Sequence, residues 1–206
     1  MAGITLGAGM IIQRSASEGQ NMGYTHTFRI QPGSPEYADA WPHLVSDTAR
    51  IISAVTESHG IVITGPSAAA PPRIDVAKGI CFNGDIANNL HLDTLTINPP
   101  GRVHSQTPDD CAVWRFVKTE QLPYDLAVTA ALLRMRQLMP NACAIGSNGT
   151  WHQDWAPART LNWRIFGTDR AELAQDLLVD TTEGMAITLQ GWVDPRLAST
   201  QILPQP

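Results

Sequence analysis

Residues 111–167, CAVWRFVKTEQLPYDLAVTAALLRMRQLMPNACAIGSNGTWHQDWAPARTLNWRIFG, decide the fold. The stretch is predicted to run strand, tight turn, helix, strand, polar turn, helix. CAVWRFV alternates, setting Cys111, Val113, Arg115 and Val117 against Ala112, Trp114, Phe116 and Lys118. KTEQLP is a turn. Pro123 opens a helix with Asp125 in its first turn, where a carboxylate meets the positive end of the helix dipole. In DLAVTAALLRMRQLM the residues Leu126, Ala127, Ala130, Leu133, Arg134 and Leu138 recur at intervals of three and four, and Pro140 stops the helix. ACAIGS is a buried strand with Ser147-Asn148-Gly149 as the turn at its C-terminal end. A further helix is predicted from near Pro157 to Gly167, with Leu161, Ile165 and Phe166 inward.

Upstream, GYTHTFRI reads as a strand with Tyr24, His26 and Phe28 on one face and Thr25, Thr27 and Arg29 on the other. His26 is expected to be a core or half-buried histidine hydrogen-bonded to backbone. Ser34 is a candidate N-cap, with Pro35 at the first helical position and Glu36 in the first turn. Pro42 is expected to break that helix, leaving a main one over 43–58 that ends at Gly60. IVIT at 61–64 is predicted as a strand, GPSAAAPPR as a loop, and GICFNGD at 79–85 as a strand closing in an Asn-Gly turn. LDTLTI at 92–97 alternates and places Asp93 on the face of Leu95 and Ile97. A carboxylate there is either solvated at the strand end or paired, because an isolated buried charge is costly. Downstream, Thr168 and Asp169 cap a predicted helix at about 169–178, and MAITLQ at 184–189 forms an edge strand.

The chain of 206 residues suits one sizeable domain. The expected class is α+β: a single domain over 22–190 with a mixed sheet of about five to seven short strands and three or four packed helices. Residues 1–21 form an N-terminal extension and 191–206 a Pro-containing C-terminal arm. A net charge of -5 with only 14 scattered Lys and Arg residues argues against a broad grip on nucleic acid. Three dispersed cysteines, Cys81, Cys111 and Cys143, suit a reducing compartment and small buried side chains. The N-terminal apolar run is short, broken by Gly and without a basic region, so the expected location is cytoplasmic and no membrane partner is expected.

No Gly-x-Ser-x-Gly elbow, His-Glu-x-x-His, Cys-x-x-Cys, Walker lysine or paired-His metal spacing occurs. No metal ligands, cofactor or catalytic residue can be named on that basis. The candidate ligand-binding set is therefore positional. Residues at strand ends gather in a crevice where strands feed helices, which selects Lys118, Thr119, Ser147 and Asn148, with Tyr124 and Asp125 at a helix start and His26 and Asp93 from neighbouring strands. Lys118 and helix N-terminal amides would take a phosphate or carboxylate, while Asn148 and Asp125 would orient a polar base or sugar. Asp154 and Trp155 follow in the same dense polar stretch.

Met22-Gly23-Tyr24-Thr25-His26, Phe82-Asn83-Gly84, Asp93-Thr94, Lys118-Thr119, Pro123-Tyr124-Asp125, Ser147-Asn148-Gly149 and Asp154-Trp155 together resemble the spaced motifs of an uncharacterised family of small bacteriophage and bacterial proteins. The resemblance covers about 22–167. That family commonly carries His-Glu-Thr-Phe where this chain has Leu92-Asp93-Thr94-Leu95, and Ser-Asp-Gly where it has Ser147-Asn148-Gly149. An acidic catalytic residue at position 148 would be lost here, which favours binding over chemistry. The resemblance locates a site and carries over no activity; the polar strand ends and the helix start point to a phage-type accessory protein, located in the host cytoplasm or the virion. Its expected partner is a small polar, nucleotide-like ligand. The alternative is a virion-associated assembly protein that forms homo-oligomers through its terminal arms.

Overall fold

The computed structural model describes residues 23–101, 113–167 and 178–180. In chain order the elements are β1 (Thr25–Ile30), α1 (Pro35–His59), β2 (Arg73–Asp75), β3 (Gly79–Phe82), β4 (Leu95–Ile97), β5 (Val113–Lys118), α2 (Asp125–Leu138), β6 (Cys143–Ser147), α3 (Ala156–Phe166) and β7 (Leu178–Asp180). The class is α+β. Instead of the single mixed sheet expected, the strands form two sheets, one ordered β5-β1-β6-β7 and one ordered β2-β3-β4. β1 is antiparallel to both β5 and β6, β7 runs parallel to β6, and the smaller sheet is antiparallel throughout.

Alternation along β1 buries His26, Phe28 and Ile30 and leaves Thr25, Thr27 and Arg29 half-buried, as a strand with one core face should. α2 packs against β6 and is flanked by α1 and α3, while α1 also touches β2 and β3 and so ties the two sheets together. Phe28, Ile30, Val117 and Ile145 meet Ala127, Val128, Leu132 and Leu133 in one continuous core that extends to Ile80, Phe82, Leu95 and Ile97.

Ser34 and Pro35 start α1 and Gly60 ends it in the left-handed conformation, with Gly60 N–H returned to the Thr56 carbonyl. Pro42 does not break it. The helix continues through Pro42 because its first two turns are anchored: the Tyr37 hydroxyl donates to the Asn98 carbonyl, and Trp41 Nε1 donates to the Val76 carbonyl at 2.8 Å. Burial of Tyr37, Ala40 and Trp41 offsets the cost of one missing backbone hydrogen bond, about 3 kcal/mol for an interior proline. Asn141, past the end of α2, donates its backbone N–H and side-chain amide to Glu36.

The predicted strand at 61–64 reduces to one bridge, Thr64 with Asn83, since Gly65 turns away at once and donates to the Ala70 carbonyl. The strand Arg73–Asp75, by contrast, lies at the end of the expected loop. Its pairing comes from β3 across a turn in which Asp75 Oδ1 accepts the N–H groups of Ala77 and Lys78, both at 2.8 Å. Asn83-Gly84 makes no tight hairpin, because Phe82 pairs with Leu95 at the far end of a long loop. The Asn83 amide staples that loop, donating to the Leu92 carbonyl at 2.9 Å and to Thr94 Oγ1 at 3.0 Å. α3 ends at Gly167 in the left-handed conformation, as expected. Cys111, residues 169–177 of the helix predicted at about 169–178, the strand at 184–189 and both terminal arms lie outside the described residues; 178–180 form the edge strand β7, so residue 178 is strand where helix was expected.

A charged clamp joins the three helices. Arg134 Nε on α2 donates to Asp47 Oδ2 on α1 at 2.7 Å, and the guanidinium stands 4.2 Å from the centre of the Phe166 ring on α3. Arg50 reaches the same ring and donates to the Ile165 carbonyl. Asp47→Ala strands a partly desolvated guanidinium. A fully buried pair would cost 3–5 kcal/mol to break this way, and solvent contact at Arg134 lowers the expected loss to about 2 kcal/mol. Urea unfolding of Asp47→Ala and Arg134→Met would check this: the methionine variant keeps most of the packing and should recover part of the loss in an Asp47→Ala background.

Candidate functional site

Strand alternation sorts the expected set of residues into two faces. Residues directly opposed in an antiparallel pair project to the same side. His26 opposes Val117 on β5 and Ser147 on β6, whereas Thr25 opposes Lys118. His26 and Ser147 therefore face the helices and Lys118 faces away. Lys118 is half-exposed and ion-paired to Glu120 at 2.8 Å, and this hydrogen-bonded carboxylate lifts the ammonium pKa above its ordinary value. Asn148 is exposed, continuing β6 on the outer side with its N–H donated to the Thr25 carbonyl. The assignment of Lys118 and Asn148 to the same pocket as His26 is thus corrected by one residue of register.

Asp93 also leaves the set. It is exposed rather than core-facing, and its carboxylate accepts the Lys118 backbone N–H at 2.8 Å, fastening the loop before β4 to the end of β5. Tyr124 is buried structure: its hydroxyl donates to the carbonyls of Asp93 and Lys118 at 3.0 and 3.1 Å. Burial holds its phenol pKa above the ordinary value.

What remains is a connected line of side chains. Ser147 Oγ lies 2.8 Å from His26 Nδ1, His26 Nε2 lies 2.7 Å from Asp125 Oδ1, and Thr119 Oγ1 donates to the same carboxylate oxygen at 2.5 Å. Gly149 N–H fills one lone pair of Ser147 Oγ at 2.8 Å. The hydroxyl proton is then free to point at Nδ1, which places the ring proton on Nε2, facing the carboxylate. His26 is 0% exposed and Ser147 2%, while the Asp125 side chain keeps 14% of its surface in solvent. The expected backbone partner for His26 is replaced by two side chains, because β6 and the start of α2 arrive on either side of its ring.

A strained turn delivers two of these groups. Glu120 and Gln121 both adopt positive φ, 48° and 55°, without being glycine. Non-glycine residues in that region cost of order 1 kcal/mol each. The turn they make, closed by Leu122 N–H to the Thr119 carbonyl at 3.0 Å, reverses β5 into α2 and brings Thr119 and Asp125 together against His26. Both Thr119 and Glu120 donate their N–H groups to the Tyr24 carbonyl, which locks the turn to β1.

Two aromatic rings stand edge-on to the imidazole: Tyr24 with ring centres 5.0 Å apart and Trp155 with 5.3 Å. Trp151 stacks on Trp155 and carries the Arg159 guanidinium on its ring. Tyr24 Oη and Trp155 Nε1 are both buried without a hydrogen-bond partner. Tyr24 Oη stands beside Ser147 and Gln121 without closing a full hydrogen bond to either. Burial, followed by the nearby charges of Asp125 and Asp154, raises its pKa above the ordinary value, so the phenol stays protonated. Asp154 itself is a loop brace, accepting the backbone N–H and hydroxyl of Thr150 and the Gln121 amide. Tyr24 and Trp155 were not among the expected ligand residues. Tyr24 carried a usable signal, the same strand face as His26. Trp155 carried its place after a polar turn and in the Asp154-Trp155 motif.

Three cavities, next to Pro32 and Asn98, next to Arg136 and Asn141, and next to His59 and Asp85, do not include His26, Ser147 or Asp125 in their linings. The line of side chains meets solvent at Asp125, whose Oδ2 makes no hydrogen bond among the described residues. No group of three or more metal-ligating side chains occurs among the described residues, and no helix among them is long and apolar enough to cross a membrane. No protein-family model matches this chain, and no curated protein or solved structure shows significant similarity to it.

Proposed function

We propose that this chain is a phage-type accessory protein that binds a small polar ligand at Asp125, Tyr24 and Trp155. The observation that carries this reading is the pair of buried donors, Tyr24 Oη and Trp155 Nε1, left without acceptors on the two rings that pack against His26. Burying a polar group unpaired costs about 1–3 kcal/mol, and a carbonyl or similar acceptor on a ligand would relieve it. Asp125 Oδ2 then takes an N–H or O–H of the same molecule. A donor beside a carbonyl, as on the edge of a nucleobase or an amide, fits this demand, and the scant exposure keeps the guest small. The assembly alternative rests on 1–21 and 191–206, which lie outside the described residues.

A thermal-shift screen of the full chain against nucleobases, nucleosides, nucleotides and simple amides tests the reading. A ligand at a hundred times its Kd raises stability by about 2.7 kcal/mol. Tyr24→Phe should lose most of that shift while the unliganded variant is as stable as the parent or up to about 1 kcal/mol more so, because only an unpaired hydroxyl is removed. Lys118→Ala, on the opposite face, should keep the shift in full. A Tyr24→Phe variant that retains the entire shift, or no shift with any compound, would overturn the proposal.

A further inference from the structure

We infer that Ser147 is the nucleophile of an acyl-transfer site that hydrolyses small esters, an inference that rests on ligand binding at the same place. Ser147 Oγ, the His26 imidazole and the Asp125 carboxylate lie in series at 2.8 and 2.7 Å. Gly149 N–H donates to Ser147 Oγ at 2.8 Å, which leaves the hydroxyl proton directed at His26 Nδ1. The series adds what nucleophilic catalysis requires: a base in contact with the hydroxyl, and a carboxylate on the other ring nitrogen to hold the tautomer and stabilise the imidazolium. Here Nδ1 is the base and Nε2 the oriented nitrogen. Exchanging the two nitrogens leaves proton transfer through the ring unchanged.

Asp125 and Thr119 are positioning residues. Thr119 Oγ1 donates to Asp125 Oδ1 and lies 3.5 Å from His26 Nε2, so the threonine and the ring together hold that carboxylate oxygen at Nε2. Tyr24 supplies the donor that a tetrahedral intermediate needs. Its phenol is protonated, unpaired and beside Ser147. Glycine at position 149 leaves room for this phenol, because a Cβ there would collide with Tyr24 Oη. Preorganised donors of this kind contribute about 10²–10³ in kcat.

The reaction balances with water as the only co-reactant. Ser147 Oγ bonds to the ester carbonyl carbon, its proton passes to Nδ1, and the carbonyl oxygen takes the Tyr24 hydroxyl hydrogen bond. The ester C–O bond then breaks and the Nδ1 proton leaves on the alcohol. Water, deprotonated by Nδ1, attacks the acyl-serine, and the released acid carries away the acyl group while Ser147 regains its proton. With Ser147 2% exposed, the acyl group must be short, and acetyl is the size expected.

The test uses the full chain with p-nitrophenyl acetate as substrate and diisopropyl fluorophosphate as probe, with the adduct located by peptide mass spectrometry. Phosphorylation forms the Oγ–P bond, expels fluoride and should occur on Ser147. Ser147→Ala should lower ester turnover about 100-fold or more. Because that variant leaves Nδ1 unpaired, Ser147→Cys provides a second measure that preserves the contact. It should resist the fluorophosphate yet be alkylated by iodoacetamide at position 147 faster than at Cys81 or Cys143, both buried. Absence of an adduct on Ser147, with wild-type turnover in Ser147→Ala, overturns the nucleophile. If ligand-induced stabilisation persists in that case, the binding reading stands alone. Loss of both overturns both.

Discussion

His26→Ala is expected to lower stability by about 4 kcal/mol. Three terms add. The imidazole is fully buried between Tyr24 and Trp155, at 5.0 and 5.3 Å between ring centres, so its removal opens a cavity worth about 2 kcal/mol or more. Ser147 loses the acceptor of its hydroxyl proton, and Asp125 Oδ1 loses one of its two donors and keeps only Thr119; each lost hydrogen bond adds about 1 kcal/mol. The neighbours can relax only in part, because the strained turn at 120–121 holds Asp125 and β6 holds Ser147. Equilibrium unfolding in urea measures the loss. A double-mutant cycle with Ser147→Ala should show that the two losses are not additive, with a coupling of about 1 kcal/mol, since both variants break the same bond. Full additivity, or a loss below about 1 kcal/mol for His26→Ala, would show that the line of side chains is not a stabilising unit.

At alkaline pH the fold should fail steeply and in one step. The chain has three tyrosines, Tyr24, Tyr37 and Tyr124, and burial raises the pKa of all three above the ordinary value of 10.0. Burial also pushes the Cys143 thiol up from 9.0 to about 12. The folded state therefore holds protons that the unfolded chain has already released, so stability falls as pH rises. The contribution is whole below about pH 9 and is lost as pH climbs through 10 and 11 towards the folded-state values. Each proton contributes a slope of about 1.4 kcal/mol per pH unit. Counting only Cys143 and Tyr37, both fully buried, the slope is about 2.7 kcal/mol per pH unit above pH 10. Tyrosinate absorbance and far-UV circular dichroism should change together. Tyrosinate signal near pH 10 with the dichroism intact would contradict the burial of these hydroxyls.

Much of the secondary structure is legible from local rules. Ser34 and Pro35 start α1, Gly60 and Gly167 end their helices, Asp125 opens α2, and the alternation of GYTHTFRI predicts which side chains of β1 go inward. These features depend on neighbours within four residues, whose steric and dipolar preferences act whatever the rest of the chain does. Pro42 shows the limit. Its local preference is to break the helix, and distant partners, Val76 and Asn98, overrule it. The strand Arg73–Asp75 likewise exists only because β3 offers it hydrogen bonds.

The candidate site divides in the same way. The sequence by itself marks Thr119, Asp125, Ser147 and His26 as polar residues at strand ends and a helix start, and it determines the α+β class through its changes of period. Only the tertiary structure decides that His26 meets Asp125 and Ser147, 99 and 121 residues away. That meeting follows from the order β5-β1-β6, and strand order is set by burial of the sheet's inward face in the shared core rather than by any short stretch. The same register turns Lys118 and Asn148 outward, although they adjoin Thr119 and Ser147 in the chain. Adjacent residues of a strand project to opposite faces, and which face becomes the interior is settled only when the helices pack.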